Sequence, residues 1–208
     1  AFAKVMLPNL LQEERVIYLD SDLLVKLDIA PLVNLDLSPY ILGVAGIGTF
    51  EYSIESVFYA SLGLDPKAKY FNSGVMVMDL KGWRESKISE RCIEFGRLHP
   101  AELKTADQTL LNYVFYKNQF VELTPAFNRT TYPNAKPITA DTQAIIHFVG
   151  SPKPWDIFAE IVHTNHRIFH DTLSKTAFCG YRTYLDLTPA RILRTARLSR
   201  SYFRHLRR

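Results

Sequence analysis

Apolar residues along this chain fall into short runs separated by polar turns, and the period of each run predicts its element. Phe2, Val5, Met6 and Leu10 recur at helical spacing, which predicts a helix over residues 1–11. Arg15–Leu19 reads RVIYL, β-branched and aromatic and too short for a helix, so it predicts a buried strand. Residues 41–47, 75–80, 120–123 and 145–149 predict further strands by the same criteria. Ile88–Leu98 carries helical periodicity, and Thr105 is placed to cap a helix running through Leu110, Leu111, Val114 and Phe115. Residues 124–142, rich in Pro, Thr and Asn, predict an ordered loop, and residues 155–169 predict one continuous helix. Alternating strands and helices point to an α/β fold with a mostly parallel sheet, in which ligands gather beyond the carboxyl ends of strands.

Composition changes this picture little. The chain has 208 residues, enough for one sizeable core, with 47% hydrophobic and 22% charged residues, as in ordinary globular proteins. Cys92 and Cys179 stand far apart without metal-ligand spacing, which fits two ordinary thiols in a reducing compartment better than a disulfide framework. No apolar run reaches the roughly 18 residues of a membrane span, and residues 1–4 do not open a signal peptide. The first residue is Ala rather than Met, so a fragment or a processed chain is open from the outset.

Charge is more informative. The net charge is +4, yet residues 187–208 hold seven arginines and no acid, leaving residues 1–186 with 18 basic and 21 acidic residues. The body is mildly acidic and has no basic signature of nucleic-acid binding. On a helical wheel Ile192, Ala196, Leu198, Tyr202, Phe203 and Leu206 share one arc of the tail. Arg194, Arg197, Arg200, Arg204, Arg207 and Arg208 share the other, with Arg191 and Leu193 as exceptions. Such a helix suits an anionic membrane surface; it also suits a solvated basic helix packed on the body, or a disordered end.

Two segments carry candidate chemistry. Asp20-Ser21-Asp22 follows the first strand, and two carboxylates one residue apart can share a divalent cation through oxygen ligands. With eleven aspartates such a triplet also arises by chance about as often as not, and a solvated turn explains it equally well. His147-Phe148-Val149-Gly150-Ser151-Pro152-Lys153-Pro154-Trp155 is the second. His147 lies inside an apolar strand, where a histidine is more often a core residue than a ligand. Gly150 would let a phosphate approach the backbone, Lys153 offers a point charge to an anion, and the two prolines stiffen the loop between. Two aspartates and one histidine would suit Mn²⁺ or Mg²⁺, with the imidazole favouring Mn²⁺.

Four segments together resemble the retaining glycosyltransferases of family 8, the group that includes bacterial lipopolysaccharide galactosyl- and glucosyltransferases and the glycogenins. They are VIYLDSD at residues 16–22, YFNSGVMVMDL at 70–80, ADQTLLN at 106–112, and HFVGSPKPW at 147–155. The resemblance implies a GT-A fold, a mixed and mostly parallel sheet flanked by helices, occupying residues 1–175, with the basic tail at 176–208. It implies transfer of galactose or glucose from a UDP-sugar to a glycan acceptor such as lipopolysaccharide, on the inner face of the bacterial membrane. Asp20, Asp22 and His147 would hold the metal, and Gly150 and Lys153 would contact the donor diphosphate. Asn72 and Asp107 would hold the donor sugar, Gln108 would lie beneath the anomeric carbon, and Ser21 and Lys4 would belong to the donor site.

Three departures accompany the match. Only 19 residues precede Asp20, fewer than family members carry, so the first βαβ unit that holds the uridine is not represented. Lys4 stands about where an arginine is frequent, and Gly46-Ile47-Gly48 where galactosyltransferases often have a sugar-contacting aspartate. A truncated, inactive homologue that keeps a metal and sugar pocket is therefore the alternative reading.

Overall fold

The computed structural model describes residues 2–117, 119–185 and 187–206. In chain order its elements are α1 (Ala3–Leu10), β1 (Arg15–Leu19), β2 (Leu23–Val25), α2 (Ala30–Val33), β3 (Leu42–Val44), β4 (Ile47–Thr49), α3 (Ser56–Ser61), β5 (Lys69–Phe71) and β6 (Val75–Asp79). They continue with α4 (Leu80–Glu85), α5 (Ile88–Leu98), α6 (Asp107–Val114), β7 (Val121–Glu122), β8 (Arg129–Thr131), β9 (Ile145–Phe148), α7 (Ala159–Val162), α8 (His166–Leu173) and α9 (Pro189–Leu206). Residues 1, 207 and 208, included in the expected first helix and tail arc, lie outside the described residues. Two compact units result, one from Ala1–Ser21 with Asp28–Asn128, the other from Asp22–Leu27 with Arg129–Arg208.

The first unit is built on a four-stranded sheet in the order β1-β6-β3-β7. β6 sits between β1 and β3, antiparallel to both, while β3 and β7 are parallel. Val75, Met76, Val77 and Met78 are all fully buried. A near-continuous apolar run of this kind suits a strand covered on both faces, and β6 meets that condition although its partners are antiparallel. Its core includes Trp83, Phe71, Leu80, Ile88, Cys92 and Leu111. Burial, the main influence, pushes the Cys92 thiol up to about 12, whereas Cys179 is exposed; both are free.

The second unit contains a three-stranded sheet, β2-β9-β8, with β2 antiparallel and β8 parallel to the central β9. Ala144, Ile146, Phe148 and Ile168 form its core, with Trp155 and Phe169 packed against it. Across the described strands four pairings are antiparallel and two parallel. The α/β class and the mixed sheet stand, but the expected predominance of parallel pairing does not. Burial on both faces, which the sequence records, is indifferent to strand direction.

Other local differences have physical causes. The strand expected over residues 41–47 is divided into β3 and β4 at Gly46, whose φ of +72° breaks the extended run. Thr105 is not a helix cap: its hydroxyl donates to the buried Glu55 carboxylate at 3.0 Å, and α6 begins after Ala106. The loop over 124–142 hides β8, held by pairing with β9 rather than by its own RTT sequence. The helix over 155–169 is broken into α7 and α8. Asn165, at the start of α8, spends its amide on Thr131 Oγ1 at 2.8 Å and on the Ile138 N–H at 2.7 Å.

His163, between α7 and α8, is 2% exposed and packs edge-on against Phe148. Neither ring nitrogen has a hydrogen-bond partner among the described residues. Burial, followed by the charges of His166 and Lys153, lowers its pKa from 6.5 to about 4. Between those values the unfolded chain binds a proton that the folded chain refuses, so stability rises with pH across this window. Acidification from pH 6.5 to 4 should cost roughly 2–3 kcal/mol through this residue. His163→Phe should flatten that part of the stability-versus-pH curve in denaturant titrations; an unchanged slope would refute the assignment.

Candidate functional site

In the first unit the family-matched residues converge on Lys4. The helical pattern of α1 directs this lysine inward, where it is 7% exposed. Its ammonium donates to Asp20 Oδ1 at 3.1 Å, Ser73 O at 3.1 Å and Ser73 Oγ at 3.2 Å. It also lies 3.0 Å from Asp107 Oδ2, an ion pair whose angle falls outside hydrogen-bond geometry. Asp20, at the end of β1, takes a second bond from the Tyr18 hydroxyl at 2.8 Å, and its N–H is fixed by Gly74 O at 2.8 Å. Ser21 follows in an exposed turn.

Gln108 is fixed at both ends of its amide. Oε1 accepts the Ser73 N–H at 3.0 Å, and Nε2 donates to Tyr70 Oη at 2.7 Å. Behind Tyr70 stand Thr105 Oγ1 at 3.5 Å and then Glu55, which is 1% exposed and accepts from Thr105 N and Oγ1. Because Thr105 donates to the carboxylate, it is left to accept from Tyr70, and Tyr70 accepts from Gln108. The chain therefore fixes which end of the amide is oxygen. Ala106, two residues before Gln108, has φ 55° and ψ −116°, a strained conformation for a residue with a Cβ.

Asn72 accepts the Gly74 N–H and the Asn128 side-chain N–H through Oδ1, each at 2.9 Å. Gly46 beside it has a φ of +72°, which favours glycine, and a Cβ there would stand 3.3 Å from Asn72 and Asn128, so either side chain would have to shift slightly. Tyr70, Asn128 and Glu55 were missed as site residues. Tyr70 lies inside the recognised YFNSG segment, so position alone could have flagged it; nothing local marks Asn128 or Glu55.

In the second unit β2 and β9 bring Asp22, His147 and Lys153 together. Leu23 is registered opposite His147, which places Asp22, one residue before it, at the histidine's side. Asp22 Oδ1 lies 3.2 Å from His147 Nε2, and Oδ2 lies 2.6 Å from Lys153 Nζ. Lys153 Nζ also donates to Phe148 O. Burial opposes ionisation of Asp22, but bonds from His147 and Lys153, with the lysine's charge, prevail and hold its carboxyl well below the usual range. Gly150 has φ +74°, which a glycine adopts without strain.

An oxygen and an imidazole nitrogen 3.2 Å apart have the separation of neighbouring ligands on one ion, since octahedral ligands about 2.1 Å from Mg²⁺ stand about 3 Å apart. The pair therefore fits a divalent cation, with Asp20 two residues from Asp22 along the chain.

Comparison with known proteins bears on family and fold. The family described as "Glycosyl transferase family 8" matches residues 1–159. General stress protein A of Bacillus subtilis (strain 168) is 36% identical over 175 residues, covering 75% of this chain and 59% of that protein. Lipopolysaccharide 1,2-glucosyltransferase of Escherichia coli (strain K12) is 28% identical over 161 residues, covering 70% and 45%. The chain thus spans 59% and 45% of the length of these two curated relatives. Among solved structures, galactosyltransferase LgtC in complex with donor and acceptor sugar analogs matches with a TM-score of 0.63 at 25% identity, over 81% of this chain and 64% of that one. Sequence match and fold agree: the chain belongs to glycosyltransferase family 8 and has the mixed α/β GT-A fold.

Proposed function

We propose that the protein containing this chain is a metal-dependent retaining hexosyltransferase that moves galactose or glucose from a UDP-sugar to a glycan acceptor such as lipopolysaccharide. The observation that carries this reading is the Asp22–His147–Lys153 constellation, which combines a cation-binding pair with an ammonium 2.6 Å from the same carboxylate. Asp20, Asp22 and His147 would hold Mn²⁺ or Mg²⁺. That ion would supply Lewis-acid stabilisation of the diphosphate charge.

Lys153 would leave Asp22 for the donor diphosphate and add positive charge where the leaving group develops its negative charge. Gly150 would let the diphosphate approach the backbone. Asn72 and Asp107 would hold the sugar hydroxyls, with Asn72 pre-oriented by Asn128. Lys4, bridging Asp20 and Asp107, would hold the donor-binding carboxylates in place. Gln108 presents an amide, a poor nucleophile, so front-face displacement is favoured: the departing phosphate takes the acceptor proton while the Gln108 oxygen faces the oxocarbenium-like carbon.

The tail supports peripheral attachment to the inner face of an anionic membrane. Ile192, Phe203 and Leu206 are 56%, 63% and 55% exposed, beside the exposed Arg197, Arg200 and Arg204. Among the described residues no helix is long and apolar enough to cross a membrane. Removing residues 187–208 should reduce binding to anionic liposomes; equal binding would sink this attachment. The transfer reaction itself is tested by assaying the full-length protein with Mn²⁺, a panel of UDP-sugars and lipopolysaccharide acceptors. Release of UDP with formation of an α-linked product from an α-configured donor is expected, and no turnover with any donor would refute it.

A further inference from the structure

The inner face of α9 straddles the two arcs of the wheel and presents a row of donors, all of which meet one short segment of the second unit. Arg194 grips both oxygens of Asp156, Nε to Oδ1 at 2.7 Å and Nη2 to Oδ2 at 2.9 Å. Arg191 Nη2 donates to Trp155 O at 3.2 Å, Ser201 Oγ to Ser151 O at 2.7 Å, and the Tyr202 hydroxyl to Ile157 O. Asp156 is 6% exposed, and its Oδ2 in turn accepts the Lys153 N–H at 2.7 Å, while its own N–H returns to Lys153 O at 3.0 Å.

We propose that α9 is a positioning element for the donor site: Arg194, acting through Asp156, fixes the backbone from which Lys153 reaches the donor diphosphate. This rests on the reading of Lys153 given above. A two-pronged guanidinium–carboxylate contact fixes angle as well as distance, which a single ammonium does not. Residues 151–157 form no helix or strand of their own among the described elements, so their order depends on these external donors. Holding the loop before the donor arrives removes an ordering cost from binding. The same helix keeps Ile192, Phe203 and Leu206 outward, so the clamp and a membrane-facing surface occupy different faces.

The test uses the full-length protein in lipid-free solution. Arg194→Ala should speed hydrogen exchange at the Lys153 amide by about tenfold or more and weaken UDP binding in Mn²⁺ by about tenfold, with kcat changed less than about twofold. Arg194→Lys should restore only part of the affinity. Tyr202→Phe, which removes one hydroxyl and keeps the ring, should move both readouts in the same direction by less. Phe203→Ser on the outer face should leave both unchanged. Wild-type exchange and wild-type UDP affinity in Arg194→Ala and Tyr202→Phe would overturn the proposal. Lys153→Ala separates the two ideas: unchanged UDP affinity there removes the diphosphate role of Lys153, and faster exchange in Arg194→Ala then still upholds the clamp, while unchanged exchange overturns it.

Discussion

Asp22→Ala is expected to abolish hexose transfer, lowering kcat/KM by about 10³-fold or more, measured as UDP release with the full-length protein. The carboxylate has two partners at once, His147 at 3.2 Å and Lys153 at 2.6 Å. Its loss would remove an oxygen ligand of the proposed cation and leave Lys153 without the anion that parks it. Gln108→Ala should be milder, about 10- to 100-fold, with donor binding retained, because an amide that steadies an oxocarbenium-like state contributes less than the groups that neutralise the leaving charge. Asp22→Ala retaining a tenth of the activity would refute the metal role. Gln108→Ala that still binds donor yet has no residual transfer would instead favour a covalent intermediate on Gln108.

Lys4→Met should produce the largest loss of stability. The ammonium is 7% exposed and serves Asp20, Asp107 and both oxygens of Ser73. Met fills similar space but leaves two partly buried carboxylates facing each other without a cation. Removing one partner from such a group costs about 3–5 kcal/mol, which for a chain of this size is a fall in Tm of about 6–20 °C. Adding Asp107→Asn to Lys4→Met should recover part of the loss, since one of the two charges is then gone. A shift below about 3 °C in calorimetry of Lys4→Met would mean that water, not Lys4, balances these carboxylates.

These two expectations depend on unequal amounts of sequence information. Arg15–Leu19 and Ile88–Leu98 were legible to the residue, because each has a periodicity that burial on one side or both sides dictates locally. Asp20, Asp22, His147 and Lys153 were nominated together as candidates, because four motifs in fixed order are far more specific than any one of them. The convergence of Lys4 on Asp20 and Asp107 was not legible: these residues are 16 and 103 positions away, and no local pattern encodes the pairing.

β8 and the break between α7 and α8 were hidden for the same reason. The RTT of β8 becomes a strand because β9 offers it a ladder, and Asn165 interrupts a helical pattern because Thr131 and Ile138 compete for its amide. The tail makes the contrast sharpest. Its sequence determined a basic amphipathic helix. Which face turns inward was decided by tertiary structure, because the backbone carbonyls of Ser151, Trp155 and Ile157 and the carboxylate of Asp156 accept hydrogen bonds from Arg191, Arg194, Ser201 and Tyr202, a face that takes Arg194 from the basic arc and Tyr202 from the apolar one. Sequence alone determined the family and the strand–helix rhythm, and it singled out the residues proposed to hold a cation. Only the fold decided which charges meet, because ion pairs and shared hydrogen bonds are set by distances in space that sequence separation does not record.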